Sequence, residues 1–233
     1  MNADLVLVQE AQLPTAPADL GYHVVTDRTP AWGASIIIRG DRTYRPITFD
    51  ADTVLGRSVK YIAAAWVDVN DVETLVASVH ATTGGAKPGV TDGIELGPSE
   101  FSSLQPGGKM HTQELAVLEL SRLAGTAPLV VGGDWNTSRR YDAAYGDTHW
   151  HDRFCERLQA RGWIETFDWL HRNDNPRPQE PQTYFGRKLP IQDDHVFVSP
   201  ALAEHLTECF AIPEFAIDEL SDHAPLVVQL SFD

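Results

Sequence analysis

The chain has 233 residues, room for one large domain or two small ones, and its 42% hydrophobic and 22% charged residues are ordinary for a globular protein with a sizeable core. Eighteen Lys and Arg against 33 Asp and Glu leave a formal charge of −15, which argues against a nucleic-acid packaging protein or one held to anionic membranes by basic patches. A local phosphate site is compatible with this balance, because a bound cation reverses the sign of the field in its own cleft.

Short apolar runs predict strands at Leu5 to Val8, Ala34 to Arg39, Tyr61 to Val69, Glu73 to Ala81, Leu129 to Gly132, Val196 to Ser199 and Leu226 to Leu230. The third and fourth runs flank Asn70-Asp71, a pair suited to a tight hairpin turn. Helical spacing marks Lys109 to Ala124, with Leu115, Leu118 and Leu123 beside Val117, Leu120 and Ala124. It also marks Trp150 to Arg161, through Trp150, Phe154 and Leu158. Gly125 and Gly162 fall where helix C-terminal glycines are common. No repeat or low-complexity tract divides the chain, so a single domain over 1–233 is expected, of α/β class with mixed sheets, a hairpin and interspersed helices. Two long Gly- and Pro-bearing loops, Thr82 to Gly107 and His171 to Pro190, are candidates for functional segments, the first with a substrate-side role because it leaves a strand ending in His80.

Cys155 and Cys209 are too few for a disulfide scaffold or a cysteine-only zinc site, and whether they pair is left open. Trp150, Trp163 and Trp169 read as packing residues, His149 and His151 as surface histidines and Cys155 as a buried free thiol. No stretch reaches the ~20 apolar residues of a membrane span. The opening residues also lack a secretory signal, so a cytoplasmic location is expected, and no obligate protein partner is inferred.

Polar residues gather at the ends of the apolar strands. Leu5-Val6-Leu7-Val8 runs into Gln9-Glu10, and Leu75 to Val79 runs into His80. Leu129-Val130-Val131 passes through Gly132-Gly133 into Asp134-Trp135-Asn136. Gln192-Asp193-Asp194-His195 precedes Val196-Phe197-Val198, and Ser221-Asp222-His223-Ala224-Pro225 precedes the last strand. Brought to one side of a sheet, such ends would gather carboxylates, two imidazoles and an amide, a donor set suited to Mg²⁺ or Mn²⁺ rather than zinc. Singly, each has a plain structural use as a cap, a turn former or a hydrogen-bonded strand histidine.

The ordered set resembles the endonuclease/exonuclease/phosphatase superfamily, the DNase I-like fold shared by nucleases, abasic-site endonucleases, inositol polyphosphate 5-phosphatases and neutral sphingomyelinases. The matching segments are Val8-Gln9-Glu10, Val79-His80-Ala81, Gly132-Gly133-Asp134-Trp135-Asn136, Asp194-His195-Val196-Phe197-Val198-Ser199 and Leu220-Ser221-Asp222-His223-Ala224-Pro225, with Gly33 to Arg39 and Thr183-Tyr184-Phe185 as further matches. The resemblance implies two packed mixed β-sheets flanked by helices. It implies Glu10 as the main Mg²⁺ ligand with Asp222 beside it or linked through water, Mn²⁺ being a possible substitute. Asp134 would orient or deprotonate the attacking water, and Asn136 would hold that water or a phosphoryl oxygen. His223 would bond the phosphate, kept in orientation by Asp194, and His80 would donate to a non-bridging oxygen or assist the leaving group.

Family members open with a strand carrying an Asn and then a helix, whereas Met1 lies nine residues before Glu10, so that strand and helix have no counterpart and a mis-set start or truncation is expected. The function expected is Mg²⁺-dependent hydrolysis of phosphodiester or phosphomonoester bonds by in-line water attack, in a small phosphoester, nucleic acid or lipid head group. Arg139 and Arg140, with Arg39 or Arg187 as further choices, are candidate phosphate clamps. The alternative is a catalytically impaired homologue that acts as a binding scaffold.

Overall fold

The computed structural model describes residues 3–10, 21–26, 33–49, 62–81, 112–140, 150–186, 191–217 and 221–232. They group into two compact units, Met1–Ala127 and Pro128–Asp233. The loop expected over Thr82 to Gly107 lies outside the described residues, as do His149 and Arg187.

In the first unit, β1 (Leu5–Gln9) and β2 (Tyr22–Thr26) pair antiparallel with the two edges of β3 (Ala34–Arg39). β3 is central because its side chains suit burial: Ala34, Ile36 and Ile38 are fully buried. A second sheet runs through β4 (Tyr44–Pro46), β5 (Ile62–Val69) and β6 (Val72–His80), again antiparallel. Its hairpin turn is Asn70-Asp71, both residues at positive φ (53° and 63°), as a two-residue type I′ turn requires. Ala63, Ala64, Ala65, Leu75, Val76 and Ala77 are all but inaccessible to solvent, because β3 packs over β5 and β1 over β6. Gln9 Nε2 donates to Ser78 Oγ at 2.8 Å and Ser78 Oγ donates to the Val8 carbonyl at 3.1 Å, so β1 is stitched to β6 just before Glu10. Helix α1 (Thr112–Ala124) buries Val117, Leu118, Leu120 and Ala124, and Gly125 ends it at φ 56° with its N–H on the Ser121 carbonyl.

The second unit is built on β9 (Asp194–Val198), which pairs antiparallel with β7 (Leu129–Asp134) and with the two-residue β8 (Ile164–Glu165). Helix α2 (Trp150–Ala160) ends at Gly162, whose positive φ of 79° closes the turn while the Trp163 N–H bonds the Leu158 carbonyl. Trp135 is fully buried and lies edge-on to Phe197 (5.3 Å between ring centres) and Trp163 (6.4 Å), with Phe154 at 5.9 Å. This aromatic cluster sits directly beneath the polar end of β7. α3 (Thr166–Leu170), α4 (Pro200–Ala203) and α5 (Glu214–Ile217) are short, and β10 (Leu206–Ala211) pairs with β11 (Leu226–Leu230).

The α/β class expected from sequence is the class observed, and the elements with strong apolar patterns lie within a few residues of their expected bounds. β2, β4, β8 and β10 carry no such pattern and were not expected: β2 reads Tyr-His-Val-Val-Thr and alternates poorly, and β8 is two residues long. Cys155 and Cys209 are both buried free thiols, their pKa values pushed up to about 12 by burial. Among the described residues, no helix is long and apolar enough to cross a membrane.

Candidate active site

Two constellations stand at strand ends, one in each unit. In the first unit β1 breaks at Glu10, a non-glycine residue at φ 54° whose N–H bonds the Gly33 carbonyl at 3.0 Å. That backbone turn brings Glu10 Oε1 to 3.1 Å from Nε2 of His80, the last residue of β6. His80 is buried while the Glu10 side chain is 45% exposed, so the carboxylate is held on its inner side and open on its outer side.

In the second unit the polar end of β7 folds back on itself. Asn136, at φ 48°, donates its backbone N–H to Asp134 Oδ1 (2.8 Å) and its Nδ2 to Asp134 Oδ2 (2.9 Å), so both carboxylate oxygens are engaged by one residue. A left-handed non-glycine residue here and another at Glu10 place local backbone strain at two expected site positions. Asp134 is 8% exposed, and burial, followed by the nearby Asp194 charge, holds its carboxyl well above the usual carboxylate range.

Asp194 begins β9 opposite Asp134 in the β7–β9 register, and its Oδ2 lies 2.8 Å from Nδ1 of His223. A carboxylate can only accept, so Nδ1 carries the hydrogen and Nε2 is the ring's other working atom. Burial works against a charged imidazole, but the Asp194 hydrogen bond and charge outweigh it, and the His223 pKa is pushed up to about 9. Asp222 is exposed, and its carbonyl accepts the Phe185 N–H at 2.8 Å.

The expected arginine clamps have partners within the protein. The Arg139 guanidinium reaches Asp168 Oδ2 (2.5 Å), Asp152 Oδ1 (3.5 Å) and Glu180 Oε1 (3.8 Å), and Arg177 joins the same Asp168. Arg139 therefore braces α2, α3 and the 171–186 segment against the exit of β7. With its amide oxygen turned to the guanidinium, Gln179 accepts from Arg140, at 2.9 Å to Nη1. Arg39 in the first unit is likewise ion-paired, to Asp4 and Asp41.

One residue that the sequence did not single out is central. His195 is buried, and its Nε2 lies 2.9 Å from the Thr137 carbonyl, which can only accept, so this nitrogen donates. Nδ1 faces Glu165 Oε1 at 3.4 Å, and Glu165 Oε2 caps α3 through the Asp168 N–H. Burial disfavours the imidazolium, but the Glu165 hydrogen bond and charge raise the His195 pKa to about 9. His195 thus ties β9 to the Asp134–Thr137 turn. Its signal in the sequence was adjacency to Asp194, but an apolar-flanked histidine on a strand does not reveal its partners.

For a divalent cation, the available donors in each unit are hard carboxylate oxygens: Glu10 presents an exposed carboxyl group in the first unit and Asp222 another in the second. Either group by itself fits an ion that keeps several waters and takes few protein carboxylates. Among the described residues no group of three or more His, Cys, Asp or Glu side chains is placed to hold a metal, so a fully protein-enclosed site is not present there.

Comparison with known proteins decides the kinship. The model of the Endonuclease/Exonuclease/phosphatase family matches residues 1–223. The chain belongs to this family. It is therefore a hydrolase acting on phosphoester bonds, and members of the family generally use divalent metals. Its fold is similar to that of the 3′ phosphatase NExo from Neisseria, solved with a product DNA hairpin (TM-score 0.62, 20% identity, 98% of this chain and 89% of that one). It is also similar to an AP endonuclease from Archaeoglobus fulgidus (TM-score 0.63, 15% identity, 98% and 89%) and to AP endonuclease LMAP from Leishmania major (0.64, 14%, 99% and 79%). No curated protein sequence matches the chain.

Proposed function

We propose that this family member hydrolyses phosphodiester or phosphomonoester bonds with Mg²⁺, Mn²⁺ being a competent substitute, by in-line attack of water. The observation that carries the reading is the pair of hydrogen-bonded units, Asp134 with Asn136 and Asp194 with His223, at facing ends of β7 and β9.

Each group has a part that its surroundings suit. Asp134, whose raised pKa makes its ionised form a stronger base than an ordinary carboxylate, accepts the proton of the attacking water. Asn136 fixes the rotamer of that carboxylate and orients the water or a phosphoryl oxygen. His223, kept charged and aimed by Asp194, presents Nε2–H to the phosphoryl oxygens, where negative charge accumulates. Glu10 and Asp222 are assigned to the cation on the resemblance and on their exposed carboxylates, and His80 steadies Glu10 or donates to a non-bridging oxygen. When bound, the cation supplies charge neutralisation on the phosphoryl group and a more acidic water. Because Arg139 is braced by three carboxylates, phosphate contact is assigned first to Arg140.

The similarity of fold to a 3′ phosphatase and to AP endonucleases makes DNA carrying a 3′-phosphate or an abasic site the first substrates to try, beside a small chromogenic diester and a lipid-headgroup phosphoester. With Mg²⁺ the wild type turns over at least one of these, EDTA abolishes turnover, and Asp134→Asn and His223→Ala each lower it by orders of magnitude. Full activity in EDTA or in both variants defeats the proposal. Lack of any Asp134-dependent turnover favours a non-catalytic scaffold instead.

A further inference from the structure

We infer that Thr183 is a positioning residue whose hydroxyl sets the Asp194–His223 pair. The inference rests on the phosphoesterase reading above and deepens it.

Thr183 is completely buried, and every polar atom it has is used. Its Oγ1 accepts from the backbone N–H of Asp193 (3.0 Å) and of Asp194 (3.0 Å). Its own N–H donates to the Ile191 carbonyl at 3.0 Å, and its carbonyl accepts the Ala224 N–H at 2.7 Å. One residue therefore holds the start of the strand that carries Asp194 and, through its main chain, the loop that carries His223.

The neighbouring residues extend the clamp without duplicating it. Tyr184 bridges both Ile191 and His223, and its ring centre lies 4.9 Å from that of His223. The Phe185 N–H holds the Asp222 carbonyl at 2.8 Å. None of these contacts reaches the Asp193 and Asp194 N–H groups, which share the two lone pairs of the Thr183 hydroxyl oxygen, while the carbonyls of the same two residues are held separately by the Trp135 N–H (3.0 Å) and by Gln192 Nε2 (3.1 Å). Removing that oxygen leaves two N–H groups without their acceptor beside a fully buried side chain, which favours a backbone shift toward other acceptors. Asp194 Oδ2 and His223 Nδ1 meet at 2.8 Å across that same joint, so a shift there is transmitted to the imidazole. The hydrogen bonds of Thr183 to the described residues run to main chain, which makes it a positioning residue and not a catalytic one.

The test uses Thr183→Val, which keeps the shape and deletes the acceptor, and Thr183→Ser, which keeps the acceptor. Misplacement of a reacting group by about 1 Å costs up to ~100-fold in rate, so Thr183→Val is expected to lower kcat by about 10- to 100-fold with little change in KM. Thr183→Ser is expected to restore kcat to near wild type. A role in stability alone would lower the melting temperature and leave kcat of the folded enzyme unchanged, and that result overturns the inference. An independent readout is amide hydrogen exchange at Asp193 and Asp194, together with the NMR resonance of the His223 Nδ1–H. Thr183→Val should speed the exchange and shift the resonance, and Thr183→Ser should reverse both. Wild-type exchange and an unmoved resonance in folded Thr183→Val refute the inference whatever the enzyme hydrolyses, whereas a wild type inactive on every substrate refutes only the function. Should Thr183→Val fail to fold, Thr183→Cys, with a weakly accepting sulfur, takes its place with the same two outcomes.

Discussion

Asp134 shows how a catalytic assignment and a stability cost arise from the same atoms. Its carboxyl is held above its ordinary pKa by burial and then by the Asp194 charge, so ionising it opposes folding. For a carboxyl with a raised folded pKa, the destabilisation is absent below the unfolded value and grows as pH rises toward the folded one. Asp134→Asn should therefore lower turnover with Mg²⁺ by orders of magnitude yet, melted in EDTA, raise the melting temperature, and the gain should widen between pH 4 and pH 8. A variant no more stable than wild type at pH 8 contradicts this. His195 has the opposite sign. Its pKa is raised to about 9 in the fold from an ordinary 6.5, so its contribution is complete below pH 6.5 and is lost as pH rises through about 9. Thermal melts across that window should fall in the wild type and fall less in His195→Gln, which retains a donor for the Thr137 carbonyl.

Among the elements, the close packing of backbones decides which small residues cannot be replaced. A Cβ built on Gly40 would lie 2.4 Å from the Gly21 carbonyl oxygen, at the point where the Gly40 N–H bonds that same oxygen. Gly40→Ala should thus part the β2–β3 end, with an expected cost of about 1–3 kcal/mol in chemical denaturation. Gly186 is confined in a different way, not by backbone but by the outer end of the Tyr184 side chain, whose ring lies against His223. Beneath β7, Trp135 fills the space between Phe154, Trp163 and Phe197, and Trp135→Ala should cost about 3–5 kcal/mol. Strong periodicity made β3, β5, β6, β7, β11, α1 and α2 legible in the sequence. The strands that escaped are edges or two-residue pieces, whose existence depends on a neighbour's unpaired backbone and not on their own side chains.

For the whole molecule, the −15 formal charge predicts an inverted salt response. An acidic body repels a polyanion beyond the local site, so moderate NaCl should lower KM for a long DNA substrate, at fixed saturating Mg²⁺, and leave KM for a small neutral-tailed diester nearly unchanged. A steep loss of DNA affinity with salt, as seen where many lysines and arginines release counterions, would show a basic face that the composition does not suggest.

Residue types and their order along the chain were enough to establish kinship, class of chemistry and the candidate groups, because Gly-Gly-Asp-Trp-Asn and Ser-Asp-His-Ala-Pro carry that information within a few consecutive residues. Partnerships across long stretches of chain were decided only by the fold. Glu10 meets His80 because β1 packs on β6, and Asp194 meets His223 because Thr183 joins two segments. Arg139 looks in sequence like an open phosphate clamp, yet Asp152, Asp168 and Glu180 reach it from three other segments. A side chain's charge is local information, whereas what neutralises it depends on which distant segments the packed core brings within a few ångströms.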